Sequence, residues 1–342
     1  MNVPYLTADL PGIGGILKQQ PEDFLVEEIP AYAPCGEGEH LFLWIEKRGL
    51  TTDDLTQHLA RTLGVAKRDI GVAGLKDRQA VTRQYVSVPA TCEARLESVG
   101  TDFIRILNAQ RHTNKLRTGH TAGNRFSILI RNVTALENAD PILACLRTSG
   151  FPNYFGPQRF GRDNQTAEQG FELLAGQRHP RDLPRAKRHY LLRLSLSAAQ
   201  SELFNHALAR RMGDGLLHTV LAGEVMQKVE SGGLFQVEDV AAEQERLDAG
   251  ETVITGPMFG PKMKQPTGEP AAREMQLLQA RGLSLDDFAN FSKIAAGARR
   301  AFVVRPGQFA VETTEQGVRC RFTLPSGAYA TVLLREVMKN DN

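Results

Sequence analysis

The order of strand-like and helix-like segments is the feature that most restricts how this chain can fold. Alternating apolar and β-branched residues, typical of strands, recur through residues 1–150 and return in residues 302–342. Residues 151–301 show mainly helical periodicity. This order predicts an α+β fold in which the two outer segments build one sheet-containing domain. The middle segment is then an inserted, mostly helical domain.

Several elements can be predicted from local patterns. His40 to Glu46 has apolar residues on both faces, which predicts an interior strand. Thr51 or Thr52, followed by two aspartates, predicts the start of a helix. The longest helix is predicted over Tyr190 to Met212, and a further helix over Ser284 to Ala296.

Composition excludes several classes of protein. With 42% hydrophobic and 23% charged residues, the 342-residue chain has the make-up of an ordinary globular protein. No apolar run approaches the ~18 residues of a membrane span, and the N-terminus lacks a leader pattern. The four cysteines are far apart, which argues against a disulfide framework or a zinc site. We therefore expect a cytoplasmic protein without a metal.

Positive charge is concentrated in two intervals although the net charge is only +2. The first interval contains Arg105, Arg111, Lys115, Arg117, Arg125 and Arg131. The second contains Arg178, Arg181, Arg185, Lys187, Arg188 and Arg193. This distribution fits a face that binds a polyanion and fits two ordinary solvated faces equally well.

The most informative stretch is Gly71 to Gln84. It predicts a short strand, a turn that contains Gly74, and a second strand from Val81. Asp77 lies in the turn between two cationic residues, and nearby cations favour the ionised form of a carboxylate. Such a carboxylate can act as a nucleophile or a base. A solvated hairpin turn is the alternative interpretation of these charges.

Four motifs in this order resemble those of the TruD family of tRNA pseudouridine synthases. The central one is Ala73-Gly74-Leu75-Lys76-Asp77, followed by Ala80, Thr82 and Gln84. The others are Gln20 to Glu28, Gly119 to Phe126, and Pro152 to Gly161. Together they extend the resemblance over nearly the full chain.

The resemblance implies a fold and a reaction. The fold is a pseudouridine synthase-type catalytic domain with a mixed, largely antiparallel sheet, formed by residues 1–150 and 302–342. An inserted TRUD domain occupies residues 151–301. The reaction breaks the N1–C1′ bond of the uridine at position 13 of tRNA and rejoins the uracil through C5. It needs no cofactor, because nothing is added and no redox change occurs.

The resemblance also implies roles for individual residues. Asp77 matches the catalytic carboxylate, and Lys18 matches its basic partner. Phe126 matches the aromatic side chain that stacks on the target base. Asn124 matches a polar residue of the pocket, and Tyr329 an aromatic residue beside it. We expect phosphate contacts from Lys76, Arg78, Arg117, His120 and Arg159.

These residues leave alternatives open. The chain could be a non-catalytic RNA-binding protein that uses the same basic cleft, or a nucleosidase that releases free uracil. The intact Asp77 and Lys18 favour chemistry over binding alone. Attack on the sugar, attack on the base, and removal of a sugar proton all remain possible roles for the carboxylate. We expect tRNA as the partner, with no membrane, no protein partner and a monomeric chain.

Overall fold

A computed structural model describes residues 3–340. The predicted domain limits at residues 1 and 342, and the first two residues of the N-terminal stretch, lie outside this range. Fifteen strands are described: β1 Gly14–Ile16, β2 Phe24–Pro30, β3 His40–Arg48, β4 Gly71–Val72, β5 Val81–Pro89, β6 Ile104–His112, β7 Thr121–Val133, β8 Phe151–Pro152, β9 Val225–Lys228, β10 Leu234–Gln236, β11 Thr252–Met258, β12 Ala298–Ala301, β13 Val303–Val304, β14 Gly307–Thr314 and β15 Gly317–Pro325. The α-helices are α1 Thr52–Leu63, α2 Ala139–Ser149, α3 Gln165–Leu174, α4 Arg188–Gly213, α5 Val240–Asp248, α6 Gly268–Gln279 and α7 Ala330–Met338.

The described residues form two compact units. The sheet unit contains residues 10–149, 305–330 and 337–340. The helical unit contains residues 3–9, 150–304 and 331–336. Two short outer stretches, 3–9 and 331–336, thus group with the middle segment. The assignment of a catalytic and an inserted domain to these segments stays a prediction.

The sheet unit is built on a nine-stranded sheet. Seven of its strands follow the order β14-β15-β7-β2-β5-β3-β6, and β1 and β4 pair with β7 and β5. The pairing of β2 with β5 is parallel, and the other pairings are antiparallel. The predicted α+β class with a mixed, largely antiparallel sheet is therefore confirmed.

Helix α1 covers one face of this sheet. Thr51 caps the helix, because its hydroxyl accepts a hydrogen bond from the backbone N–H of Asp54. Gly64 ends the helix in the left-handed conformation, with φ of 63°. Leu55, Leu59 and Leu63 follow helical spacing and pack against the apolar residues of β3. Strand β3 pairs on both sides, which confirms the predicted interior strand.

Residues 150–304 of the helical unit combine four α-helices, α3 to α6, with a small antiparallel sheet. Its longest helix, α4, is predicted correctly to within two residues at each end. Residues 284–296, predicted as an α-helix, contain only a 3-10 helix at Asp286–Phe291, so that prediction is wrong. The sheet, ordered β10-β9-β11-β12, was not predicted, because its strands are short and mostly lack alternation. Across residues 3–340, no helix is long and apolar enough to cross a membrane.

Candidate active site around Asp77

The loop of residues 73–80, between β4 and β5, presents Asp77 to solvent. The ammonium of Lys18 lies 2.8 Å from Oδ2 of this carboxylate. The two residues are 59 positions apart, and the sheet unit brings them together. This is the pairing that the resemblance implies. An ion pair with both partners near the surface contributes only about 0–1 kcal/mol to folding, so stability alone does not account for it.

The side chains of three residues outside the Asp77 loop, Lys47, Thr52 and Glu28, hold it in place. Lys47 Nζ donates to the backbone carbonyl oxygens of Asp77 (3.0 Å) and Leu50 (2.5 Å). The hydroxyl of Thr52 accepts from the backbone N–H of Lys76 at 2.9 Å. Lys76 Nζ itself lies 2.8 Å from a carboxylate oxygen of Glu28. The carboxylate at Asp77 is therefore presented by a pre-organised backbone.

The ion pair between Lys76 and Glu28 changes the expected role of the lysine. Its side chain is only 6% exposed and that of Glu28 only 1%. An ammonium in this position is already paired and has little access to a phosphate. Lys76 therefore supports the loop, and its paired ammonium is not placed to bind a phosphate.

Lys47 is a site residue that the sequence analysis missed. Its side chain is fully buried at the end of β3, and burial lowers the pKa of Lys47 to about 8. The one signal available in the sequence was that Lys47 directly follows a predicted strand with apolar residues on both faces. That signal does not distinguish a buried amine from one at the edge of the sheet.

Lys18 has an unusual backbone conformation, with φ of 57°. This left-handed region is unfavourable for residues other than glycine, by roughly 1–2 kcal/mol. The side chain reaches Asp77 on one side and lies over the ring of Phe24 on the other, with Nζ 4.2 Å from the ring centroid. Strain of this kind is typical of functional sites.

We expect Lys18→Gly to be more stable than Lys18→Ala by about 1 kcal/mol, because only the alanine retains the backbone strain. Both variants should lose turnover to the same degree, since both lack the ammonium. Urea unfolding of the two purified variants measures the difference. Equal stability, or a more stable alanine variant, would show that the backbone at position 18 is unstrained.

Phe126 lies in the middle of β7, opposite Val26 and Phe322 on the two neighbouring strands. Its ring stacks on that of Phe322, with centroids 5.2 Å apart, and meets the edge of Phe24 at 6.3 Å. Only 7% of the residue is exposed. Phe24 therefore contacts both Phe126 and the ammonium of Lys18, and this aromatic link was also missed in the sequence.

Asn124 precedes Phe126 by two residues on β7, so the two side chains share a face of the sheet. Its Oδ1 atom is buried and has no hydrogen-bond partner among residues 3–340. A buried acceptor without a donor costs free energy, and a ligand can satisfy it. Tyr329 is half-buried between the end of β15 and the start of α7.

The remaining candidates for phosphate contacts differ in their surroundings. Arg78 and Arg117 are exposed and form no ion pair with any carboxylate of residues 3–340. His120 is half-buried, with Nδ1 2.6 Å from the hydroxyl of Tyr32. Arg159 belongs to the helical unit and donates to the hydroxyls of Ser197 and Ser201.

Leu75, two residues before Asp77, was also missed as a feature of the site. It is 85% exposed, the highest value among the exposed large hydrophobic side chains of the described chain. An apolar side chain on a loop held this firmly offers a contact for a base. Within residues 3–340, no cluster of three or more histidine, cysteine, aspartate or glutamate side chains is arranged to hold a metal ion.

Comparisons with known proteins identify similar proteins over nearly the full length of the chain. The sequence model of the family tRNA pseudouridine synthase D (TruD) matches residues 1–180 and 177–337. A relative from Anaeromyxobacter dehalogenans named tRNA pseudouridine synthase D is 48% identical, over 99% of this chain and 97% of the relative. One of the same name from Thermus thermophilus is 44% identical, over 98% and 92%. A crystal structure from Methanosarcina mazei described as tRNA pseudouridine synthase D (TruD) superposes with a TM-score of 0.76, at 27% identity over 99% of both chains.

Proposed function

The chain belongs to the tRNA pseudouridine synthase D (TruD) family, and on that premise we propose that it isomerises the uridine at position 13 of tRNA to pseudouridine. The observation that carries the proposal for the site is the contact of 2.8 Å between Lys18 and Asp77, on a loop fixed by hydrogen bonds to Lys47 and Thr52. We assign Asp77 as the catalytic carboxylate and Lys18 as the cation that orients it.

The reaction is an internal transfer and balances without a second reactant. The N1–C1′ glycosidic bond breaks, the uracil turns, and a C5–C1′ bond forms in its place. The hydrogen at C5 leaves as a proton, and N1 gains one. Asp77 can serve this sequence by attack on the sugar or the base, or by removal of a sugar proton as the uracil leaves. No step needs a metal or a redox cofactor.

The side chains of Phe126 and Asn124 are suited to bind the uracil once it is no longer stacked on its neighbouring bases. Removal of a base from the stack costs a few kcal/mol. Stacking on an aromatic ring can return about 1–3 kcal/mol per base. The unpartnered Oδ1 of Asn124 can accept a hydrogen bond from the uracil N3–H, which would satisfy both groups. Tyr329, Arg78, Arg117 and His120 complete the proposed contacts of the sheet unit to the base and the phosphates, and Arg159 is a proposed phosphate contact of the helical unit.

Phe126→Leu is expected to lower turnover by roughly 5- to 150-fold, the equivalent of the ~1–3 kcal/mol that stacking contributes. Leucine is preferable to alanine here, because Phe126 packs on Phe322 and a large cavity would destabilise the fold. The matched control is Phe322→Leu, which disturbs the same aromatic pair from a position that is only 1% exposed. Equal losses of turnover in the two variants would remove Phe126 from the site.

The test of the function is release of tritium from tRNA that carries uridine labelled at C5, since isomerisation must expel that hydrogen. Stoichiometric release with no free uracil is the expected result. Free uracil in the supernatant would instead identify a nucleosidase. Tight tRNA binding without release would identify an RNA-binding protein without this chemistry.

The proposal extends to the organisation of the chain. We assign residues 1–150 and 302–342 to the catalytic domain and residues 151–301 to the inserted TRUD domain. The protein acts on tRNA as a monomer in the cytoplasm, without a protein partner. Size-exclusion chromatography with light scattering tests the monomer, and a dimer mass would contradict it.

A further inference from the structure

We propose that Arg181, Arg185, Lys187 and Arg193, together with Tyr190, form a surface of the helical unit that binds the sugar–phosphate backbone of RNA. We refer to these five residues as the cationic surface. The inference rests on the proposed function for the identity of the RNA, and it adds a binding surface on the helical unit that is distinct from the residues assigned around Asp77.

Arginines in the first basic interval of the sequence are largely neutralised by carboxylates. Arg105 lies 3.0 Å from Glu46, and Arg111 lies 2.6 Å from Glu93. Arg125 and Arg131 likewise form ion pairs, at 2.7 Å each. These residues therefore contribute little net positive potential to the sheet unit.

The second interval differs in this respect. Arg181, Arg185, Lys187 and Arg193 are exposed, and none forms an ion pair with a carboxylate of residues 3–340. Asp182, the one acidic residue within 178–193, accepts a hydrogen bond from the backbone N–H of His179 and so caps a short helix. Four unneutralised cations within 13 positions form a local positive potential suited to a polyanion.

The segment that carries these cations is anchored. The guanidinium of Arg188 donates to the carbonyl oxygens of Arg181 (3.1 Å) and Leu183 (3.4 Å), which ties the preceding turn to the start of α4. Leu183 is buried. The first turn of α4 contains no acidic residue, so the positive end of the helix dipole adds to the same field. Anchoring lowers the entropy lost when the cations meet phosphates.

Tyr190 favours RNA over other polyanions. It is 64% exposed, and it lies three residues before Arg193 on α4, so the two side chains share a face of the helix. An exposed ring beside a cation suits an unstacked base and its phosphate, as in proteins that bind single-stranded RNA. An anionic membrane would be matched better by several exposed apolar side chains, and Tyr190 is the one large hydrophobic residue exposed within 178–193.

The test is the salt dependence of tRNA binding by the full-length protein. The test variant combines Arg181→Gln, Arg185→Gln, Lys187→Gln and Arg193→Gln. The matched control removes the same charge from arginines that form ion pairs: Arg105→Gln, Arg111→Gln, Arg246→Gln and Arg321→Gln. Each phosphate contact contributes ~0.7–0.9 to the slope of log K against log salt concentration. We expect the magnitude of that slope to decrease by about 3 in the test variant and by less than about 1 in the control.

Tritium release distinguishes this proposal from the proposed function. The test variant should show a KM raised roughly ten- to hundred-fold and an unchanged kcat at saturating tRNA. An unchanged slope with full activity would overturn the cationic surface and leave the function intact. A smaller slope in the test variant than in the control, with no release by the wild type, would support the surface and reject the function. Loss of binding to phosphatidylserine vesicles, with tRNA binding unchanged, would reassign the surface to membranes and overturn the proposal.

Discussion

Asp77→Asn should abolish tritium release, with a loss in kcat of roughly 10³-fold or more, because the amide can neither attack carbon nor accept the proton. The substitution preserves the size of the side chain, and the loop is held by Lys47 and Thr52 through backbone atoms, so the fold should be unaffected. Binding of tRNA should be equal or tighter, since a negative charge is removed from a surface that meets phosphates. Tritium release and tRNA affinity, measured on the same preparations, separate these two effects.

Asp69→Asn provides the matched control for this experiment. Asp69 is exposed, belongs to the same unit as Asp77, and forms no ion pair within residues 3–340. Its substitution should change neither release nor affinity. Turnover by Asp77→Asn within about tenfold of the wild type would contradict the assignment of the catalytic carboxylate, whatever the control does.

Lys47→Met is expected to cause a large change in how the stability of the protein depends on pH. Burial lowers the pKa of Lys47 from 10.5 to about 8 in the folded protein. Between these pH values the unfolded chain binds more protons, so the free energy of unfolding of the wild type rises with pH. The free energy of unfolding of the wild type, relative to that of the methionine variant, should therefore rise by roughly 2–3 kcal/mol between about pH 7 and pH 10.

Urea unfolding at the two pH values measures this gain, and all other titrating groups are common to the two proteins. Lys293→Met, at an exposed lysine, is the control and should show no such change. Because Lys47 donates to the carbonyl of Asp77, the variant should also lose turnover, by roughly 10- to 100-fold. A difference in stability that stays constant across this pH range would show that the amine of Lys47 is not held in its buried position.

The sheet unit illustrates what could be predicted from the sequence. Its strands and α1 follow from alternation and from capping residues, which act within a few positions of the chain. The parallel pairing of β2 with β5 could not be predicted, because it depends on contacts between segments that are far apart in the chain, such as Leu25 and Val81. Glu28 lies on β2 of this pair and forms its ion pair with Lys76 in the loop that precedes β5.

Neighbouring residues of the site show the same limit, which is that local sequence does not predict contacts between distant segments of the chain. Lys76 and Arg78 flank Asp77 and are equivalent in the sequence, yet one is buried in an ion pair and the other is exposed. Lys18 could be linked to Asp77 only through the resemblance of motifs, since nothing local connects residues 59 positions apart. Strands β9, β10 and β12 have only three or four residues each, and the seven residues of β11 show no regular alternation of burial, so no periodic pattern emerges.

Because of the left-handed backbone at Lys18, the residue that is best for stability at high temperature and the residue that is needed for turnover differ at this position. Glycine suits that backbone better than any side chain, whereas the proposed chemistry needs an ammonium there. A screen that selects only for proteins that remain folded on heating would accept glycine at position 18 and return inactive enzymes. Stabilisation of this protein for use at high temperature should therefore leave position 18 fixed and be sought in parts of the chain far from Asp77.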